Sequence, residues 1–192
     1  MIENESRTVI VGDNLNDTEK FNSDVMFPLM TMCLTNDEPI HIIINSSGGR
    51  ITNGFALYDM VKEYRKHIPI YTHAIGTCQS AATFAFLGPQ KSNRFIYPNT
   101  QFMIHAPSTG WGSITPDAIK TVYDGNIMIK NQMLEIYLDE TKLDMKKLKY
   151  TLDHEAQYWF FGSEHAISSG LGVKPDRKIM KRYWQKNKEV EN

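Results

Sequence analysis

The run Ile40-His41-Ile42-Ile43-Ile44 ends abruptly on Asn45-Ser46-Ser47-Gly48-Gly49. A β-branched run of that length predicts a buried strand, and the glycines that close it predict a sharp turn. Phe55, Leu57, Tyr58, Val61 and Tyr64 then recur at helical spacing. A strand, a tight turn and an amphipathic helix therefore follow one another within a short stretch.

That unit recurs along the chain. Thr8-Val9-Ile10-Val11 reads as a strand that stops at Gly12. Phe21, Val25, Leu29 and Met32 keep a helical period, in which Pro28 predicts a kink or interruption. Ile68 to Thr72 reads as the next strand, and Gly76 to Leu87 as a turn followed by an apolar helix. Phe95-Ile96-Tyr97 and Phe102-Met103-Ile104 bracket a Pro98-Asn99 turn. A long helix is predicted from Pro116 to Leu138, with shorter ones over Asp144 to Leu152 and Ser163 to Ser169. Repeated β-turn-α units imply a largely parallel α/β sheet.

The 192 residues suit a single domain, residues 1–192, with a short N-terminal segment 1–6 and a polar tail 174–192. A formal net charge of −1 predicts no nucleic-acid partner. No apolar run approaches the ~20 residues of a membrane span. Met1 to Ser6 lacks the basic and apolar regions of a signal peptide, so a soluble cytoplasmic protein is expected. Cys33 and Cys78 are too sparse for a disulfide framework, though one bridge between them stays open. No Walker A loop and no zinc-ligand spacing is found, so neither cofactor nor metal is expected.

Two strand-to-helix turns hold the candidate chemistry. In the first, Gly48 and Gly49 let backbone N–H groups approach a ligand closely. The second, Gly76-Thr77-Cys78-Gln79-Ser80-Ala81-Ala82, puts a serine among small residues at a helix start. There the helix dipole favours developing negative charge. A serine needs a base, and histidine suits that task near neutral pH. His105 lies at the end of Phe102-Met103-Ile104. Taken singly, each feature has an ordinary structural explanation. The remaining histidines, His41, His67, His73, His154 and His165, read as structural or exposed.

Taken in order, the motifs are specific. Ile44 through Gly49, Ala56-Leu57-Tyr58-Asp59, Gly76 through Ser80, Met103-Ile104-His105-Ala106-Pro107 and Ala166 through Leu171 together resemble the ClpP family. That family comprises the proteolytic subunits of the ATP-dependent Clp protease, and the resemblance runs from about Arg7 to Val173. It implies a ClpP/crotonase-like β-β-α superhelix with a protruding handle helix, here Pro116 to Leu138. It implies Ser80 as nucleophile, His105 as general base, and the N–H groups of Gly49 and Ala81 as oxyanion hole. Ile51 and Thr52 would run beside a peptide substrate as an extended edge. Seven-membered rings stacked in pairs as a tetradecamer are implied, with an AAA+ unfoldase or a paralogous subunit as partner.

Three features depart from the family pattern. Aligning back from Ala166 and Gly170-Leu171 puts Tyr158 where the triad aspartate belongs. Counting forward through the preceding helix gives Asp153 or Glu155 as the acid instead, and Tyr158 could orient His105 through its hydroxyl as a neutral partner. Loss of the carboxylate from a worked triad lowers turnover roughly 10⁴-fold. Only Met1 to Ser6 precede the first strand, which leaves little length for an axial gate. Ser47 stands where proline is usual and loosens its turn slightly. Three functions follow: an active peptidase, a weak or inactive ring subunit beside an active paralogue, or an acyl-CoA enzyme of the crotonase type.

Overall fold

The computed structural model describes residues 7–108 and 115–176. The N-terminal segment 1–6 and all but the first three residues of the tail lie outside the described residues.

The sheet is built as the apolar runs dictate. β1 (Thr8–Val11), β2 (Ile40–Ser46), β3 (Ile70–Gln79) and β5 (Gln101–His105) lie side by side in parallel, and β4 (Arg94–Ile96) adds to β3. β6 (Tyr158–Gly162) closes the order β1-β2-β3-β5-β6 and is antiparallel to β5. Ile40, Ile42 and Ile44 alternate into the core while His41 and Ile43 face the other way, the period-2 pattern of a strand.

β3 is longer than its apolar run suggests. Gly76 to Gln79, expected as a turn, continue the strand. The reason is a bend. The first half of β3 pairs with β4 at Thr72, His73 and Ala74; its second half pairs with β5 at Thr77, Cys78 and Gln79. Gly76, at φ 68°, makes the change of neighbour. Any side chain there would meet Asn45, since a Cβ would lie 2.7 Å from its Oδ1. That Oδ1 accepts from the Thr77 N–H and hydroxyl, each at 3.1 Å, and binds the end of β2 to the shifted half of β3. The extension positions everything that follows.

Helices α1 (Thr18–Phe21), α2 (Phe27–Thr35), α3 (Ile51–Tyr64) and α4 (Ala81–Leu87) supply the next layer of the core. The interruption expected at Pro28 takes the form of a π turn, Asn22–Met26, between α1 and α2. Proline has no N–H and its ring crowds the carbonyl four residues back, so the wider turn ahead of it relieves the clash. α5 (Pro116–Glu140) is the long helix the sequence predicts. Its C-terminal end is tied to the body by Glu140, which pairs with the buried Arg94 and with Lys62 and Arg65. Tyr137 enters the core against Phe84, with ring centroids 4.9 Å apart. The outer part of α5 leaves Ile119, Tyr123 and Met128 exposed. α6 (Met145–Asp153) and α7 (Ser163–Ser168) complete the order. Cys33 and Cys78 are both buried free thiols. No helix among the described residues is long and apolar enough to cross a membrane.

Candidate active site

Ser80 is the one residue between β3 and α4. Its N–H donates to the Met103 carbonyl at 2.8 Å, the last rung of the β3–β5 pairing. Its own carbonyl already accepts from Thr83 N–H at 3.0 Å, the first turn of α4. Strand and helix therefore meet on a single residue, which is forced to φ 50°, ψ −126°. Among the described residues it is the only non-glycine with positive φ. A backbone so placed costs on the order of 1–3 kcal/mol and persists only where its surroundings over-determine it.

Those surroundings are tight. A Cβ on Gly48 would stand 2.6 Å from Ser80 Cβ, and one on Gly54 would stand 2.5 Å from the Ala81 carbonyl oxygen. Ala81, Ala82 and Thr83 behind the serine are fully buried. The Thr83 hydroxyl lies 2.7 Å from the Ser80 carbonyl oxygen and 2.6 Å from the Tyr137 hydroxyl, which links the elbow to α5.

The β3–β5 register also sets the imidazole. Gln79 stands opposite Met103, so His105, two residues on, comes level with the elbow. Ser80 Oγ and His105 Nε2 are 2.7 Å apart. With the imidazole proton on Nδ1, the hydroxyl donates to Nε2, the arrangement required before a proton moves from oxygen to nitrogen. Burial holds His105 below its ordinary value, with no opposing push from a charged neighbour. The ring is consequently neutral at pH 7 and able to accept a proton.

The third position is filled differently. Tyr158 stands opposite His105 in the β5–β6 pairing. It meets the imidazole through its ring face, with centroids 5.3 Å apart and planes within 12°, and not through the hydroxyl. The Asp153 carboxylate is engaged with Lys130 Nζ at 2.6 Å at the exposed end of α6, and Glu155 is exposed in the turn that follows. Among the described residues no carboxylate reaches His105. The structure thus brings Ser80, His105 and Tyr158 together and leaves Asp153 and Glu155 apart from them.

Gly49 lies in the loop between β2 and α3, against the segment after β1. A Cβ there would stand 2.5 Å from the Leu15 carbonyl carbon. The next residue, Arg50, donates its N–H to the Leu15 oxygen at 2.9 Å. Ala81 opens α4, so its N–H is among those with no partner inside the helix. Ile51 and Thr52 do not form the extended edge expected of them. They are the first turn of α3, because the Arg50 carbonyl already accepts from the Asn53 and Gly54 N–H groups at 3.0 and 3.3 Å.

Two site features escaped the sequence. The contact of Gly48 with the elbow depends on two distant turns meeting. β6 had a signal: Tyr158-Trp159-Phe160-Phe161 is aromatic, β-favouring and closed by Gly162. Four of the other histidines have side-chain partners: His41 Nδ1 and His73 Nε2 lie 2.9 Å apart, His154 Nδ1 meets the Tyr150 carbonyl at 2.7 Å, and His165 Nε2 meets the Ser169 hydroxyl at 3.3 Å. Among the described residues no group of three or more His, Cys, Asp or Glu side chains is arranged for a metal ion.

Fold and site together define an α/β protein that presents a serine–histidine pair on a strained strand-to-helix elbow. The chain belongs to the Clp protease family, whose model matches residues 3–173. It is 27% identical over 162 residues to an ATP-dependent Clp protease proteolytic subunit of Paracoccus denitrificans, covering 84% of this chain and 78% of that one. It is 28% identical to proteolytic subunit 2 of Gluconobacter oxydans, over 87% of this chain and 72% of the relative. Among solved structures a ClpP1 mutant from Listeria monocytogenes superposes with a TM-score of 0.66, covering 91% of this chain and 94% of its own. At 22% identity that match establishes the ClpP fold.

Proposed function

We propose that this chain is a serine endopeptidase of the ClpP kind, with Ser80 as nucleophile and His105 as general base. The observation that supports it best is the 2.7 Å contact between His105 Nε2 and the hydroxyl of the one non-glycine described residue at positive φ. A serine on such an elbow presents its Oγ outward from the sheet, which is the purpose of the strain in other strand–serine–helix nucleophiles.

In this reading Ser80 Oγ attacks the peptide carbonyl as its proton passes to His105 Nε2. The N–H groups of Gly49 and Ala81 stabilise the oxyanion of the tetrahedral intermediate. His105 returns the proton to the departing amine, then draws one from water to release the acyl group. Peptide is the substrate class that family membership favours over the acyl-thioester alternative.

A second reading has its own support. No carboxylate faces His105 among the described residues, so the imidazolium formed at each step lacks the usual counter-charge. A pair without that carboxylate is slowed by up to roughly 10⁴-fold relative to a complete triad. Such a subunit would depend on an active paralogue in a shared ring. The exposed Ile119, Tyr123 and Met128 of α5 support assembly into stacked rings under either reading, with an unfolding ATPase as an outside partner.

Hydrolysis of a fluorogenic peptide by the purified protein, beside Ser80→Ala, tests the first reading. Turnover abolished by the substitution supports it; equal rates overturn it. Turnover that arises only on mixing with a paralogue and survives Ser80→Ala supports the second.

A further inference from the structure

We propose that the aromatic ring of Tyr158 is the positioning group of His105, taking by its π face the place a carboxylate holds by charge. The inference rests on His105 being the base. It concerns how that base is oriented and how its protonated form is stabilised.

The geometry is specific. Tyr158 and His105 are direct cross-strand partners, and their rings lie 5.3 Å apart with an interplanar angle of 12°. A near-parallel stack fixes the plane of the imidazole, the torsion that decides whether Nε2 points at Ser80. The tyrosine is itself steadied by Phe160, two residues on, at 6.4 Å and 22°. The groups facing His105 among the described residues are the Ser80 hydroxyl from the β3–α4 elbow and the Tyr158 ring from β6, and neither is a carboxylate.

The energetics point the same way. His105 is half-buried, and burial alone disfavours its cation. When Ser80 yields its proton, an imidazolium forms against the negative face of the tyrosine ring. A cation over an aromatic face is stabilised, more so when partly desolvated. The ring does in one contact what the aspartate of a triad does in another: it sets the orientation and favours the charged intermediate. The hydroxyl takes no part, so phenylalanine should serve equally well.

The choice of substitution decides whether the test is readable. Removing the ring altogether lets water reach His105, which raises its pKa and masks the effect sought. Leucine keeps an apolar cover and removes only the π face. The titration of His105 is followed by NMR in full-length protein carrying ¹³C-labelled histidine, for the wild type, Tyr158→Phe and Tyr158→Leu. Covalent labelling of Ser80 by a fluorophosphonate is timed in the same samples. Tyr158→Phe is expected to titrate and label as the wild type does. Tyr158→Leu is expected to titrate about half a pKa unit lower and to label about fivefold more slowly. Tyr158→Met, also apolar and without a π face, replaces the leucine variant if that one fails to fold.

The proposal is overturned if the aliphatic variant titrates with the wild type. It is equally overturned if Tyr158→Phe shifts as far as the aliphatic variant, since the hydroxyl would then be the active part. A titration that follows the ring while Ser80 takes no label in any sample supports the stack and counts against the peptidase reading alone.

Discussion

Two regions flank the same imidazole and are built on opposite principles. The β3–α4 elbow holds Ser80 by backbone: two hydrogen bonds, a positive φ, and glycines packed where no side chain fits. On β6, an edge strand of the sheet, Tyr158 pairs with His105 across the ladder and meets its imidazole by the side chain, with more than half of the residue exposed at 56%. The elbow tolerates almost no change. At the strand edge the side-chain contact with the site is a ring laid on a ring. Ser80 is therefore held by the fold itself, whereas Tyr158 meets His105 from a largely exposed strand edge.

The largest expected effect comes from breaking the elbow at its centre. Ser80→Ala should lower peptide turnover by roughly a thousandfold or more, to background, while the melting temperature stays near that of the wild type. Gly48→Ala should come next. Its Cβ would stand 2.6 Å from Ser80 Cβ at a φ of 108° that alanine resists, so the serine must move. A displacement near an ångström costs about a hundredfold in kcat, and steady-state kinetics of the variant would show it.

The strand edge should respond in the other direction. Tyr158→Asp places a carboxylate directly opposite His105 and should raise turnover by about tenfold or more. It should also move the acid limb of kcat/KM upward, since a nearby negative charge favours the imidazolium. In the wild type, burial holds His105 low, so its neutral form persists below pH 6.5 and the acid limb should fall under that value. A pH–rate profile of both proteins reads the two positions together.

The smallest effect lies outside both regions and serves as their control. His41 and His73, hydrogen-bonded to each other, are held low by burial, His73 to about 4. Their folded-state values lie below the unfolded one, so the stability they contribute is full above pH 6.5. It is lost progressively as pH falls toward 4. Urea midpoints at intervals across that window should decline. Activity measured beside the urea midpoint at each pH separates protonation of His105 from loss of folded protein.

The same contrast explains what the sequence made legible. Ser80 and His105 were readable because elbow and register leave short, ordered signals: Gly76 through Ser80, and a histidine ending an apolar strand. Tyr158 was readable as a position but not as a role. Stacking depends on the β5–β6 pairing, and β6 was hidden in a run of aromatics with no helical period and no clear alternation. Asp153 was a plausible acid by counting along the chain, but Lys130 of α5 already holds its carboxylate, a contact 23 residues away that counting does not find. The extended edge that the resemblance implies for Ile51 and Thr52 does not form, because the Arg50 carbonyl starts α3 at once.

The proposed chemistry begins with one event, the activation of the Ser80 hydroxyl by His105. Mass spectrometry of the protein after fluorophosphonate treatment, with and without His105→Ala, tests it most directly. The expected result is a single adduct on the peptide containing Ser80, formed much more slowly once the imidazole is gone. An adduct that forms at the same rate in both proteins, or folded protein that never takes the label at Ser80, would contradict it.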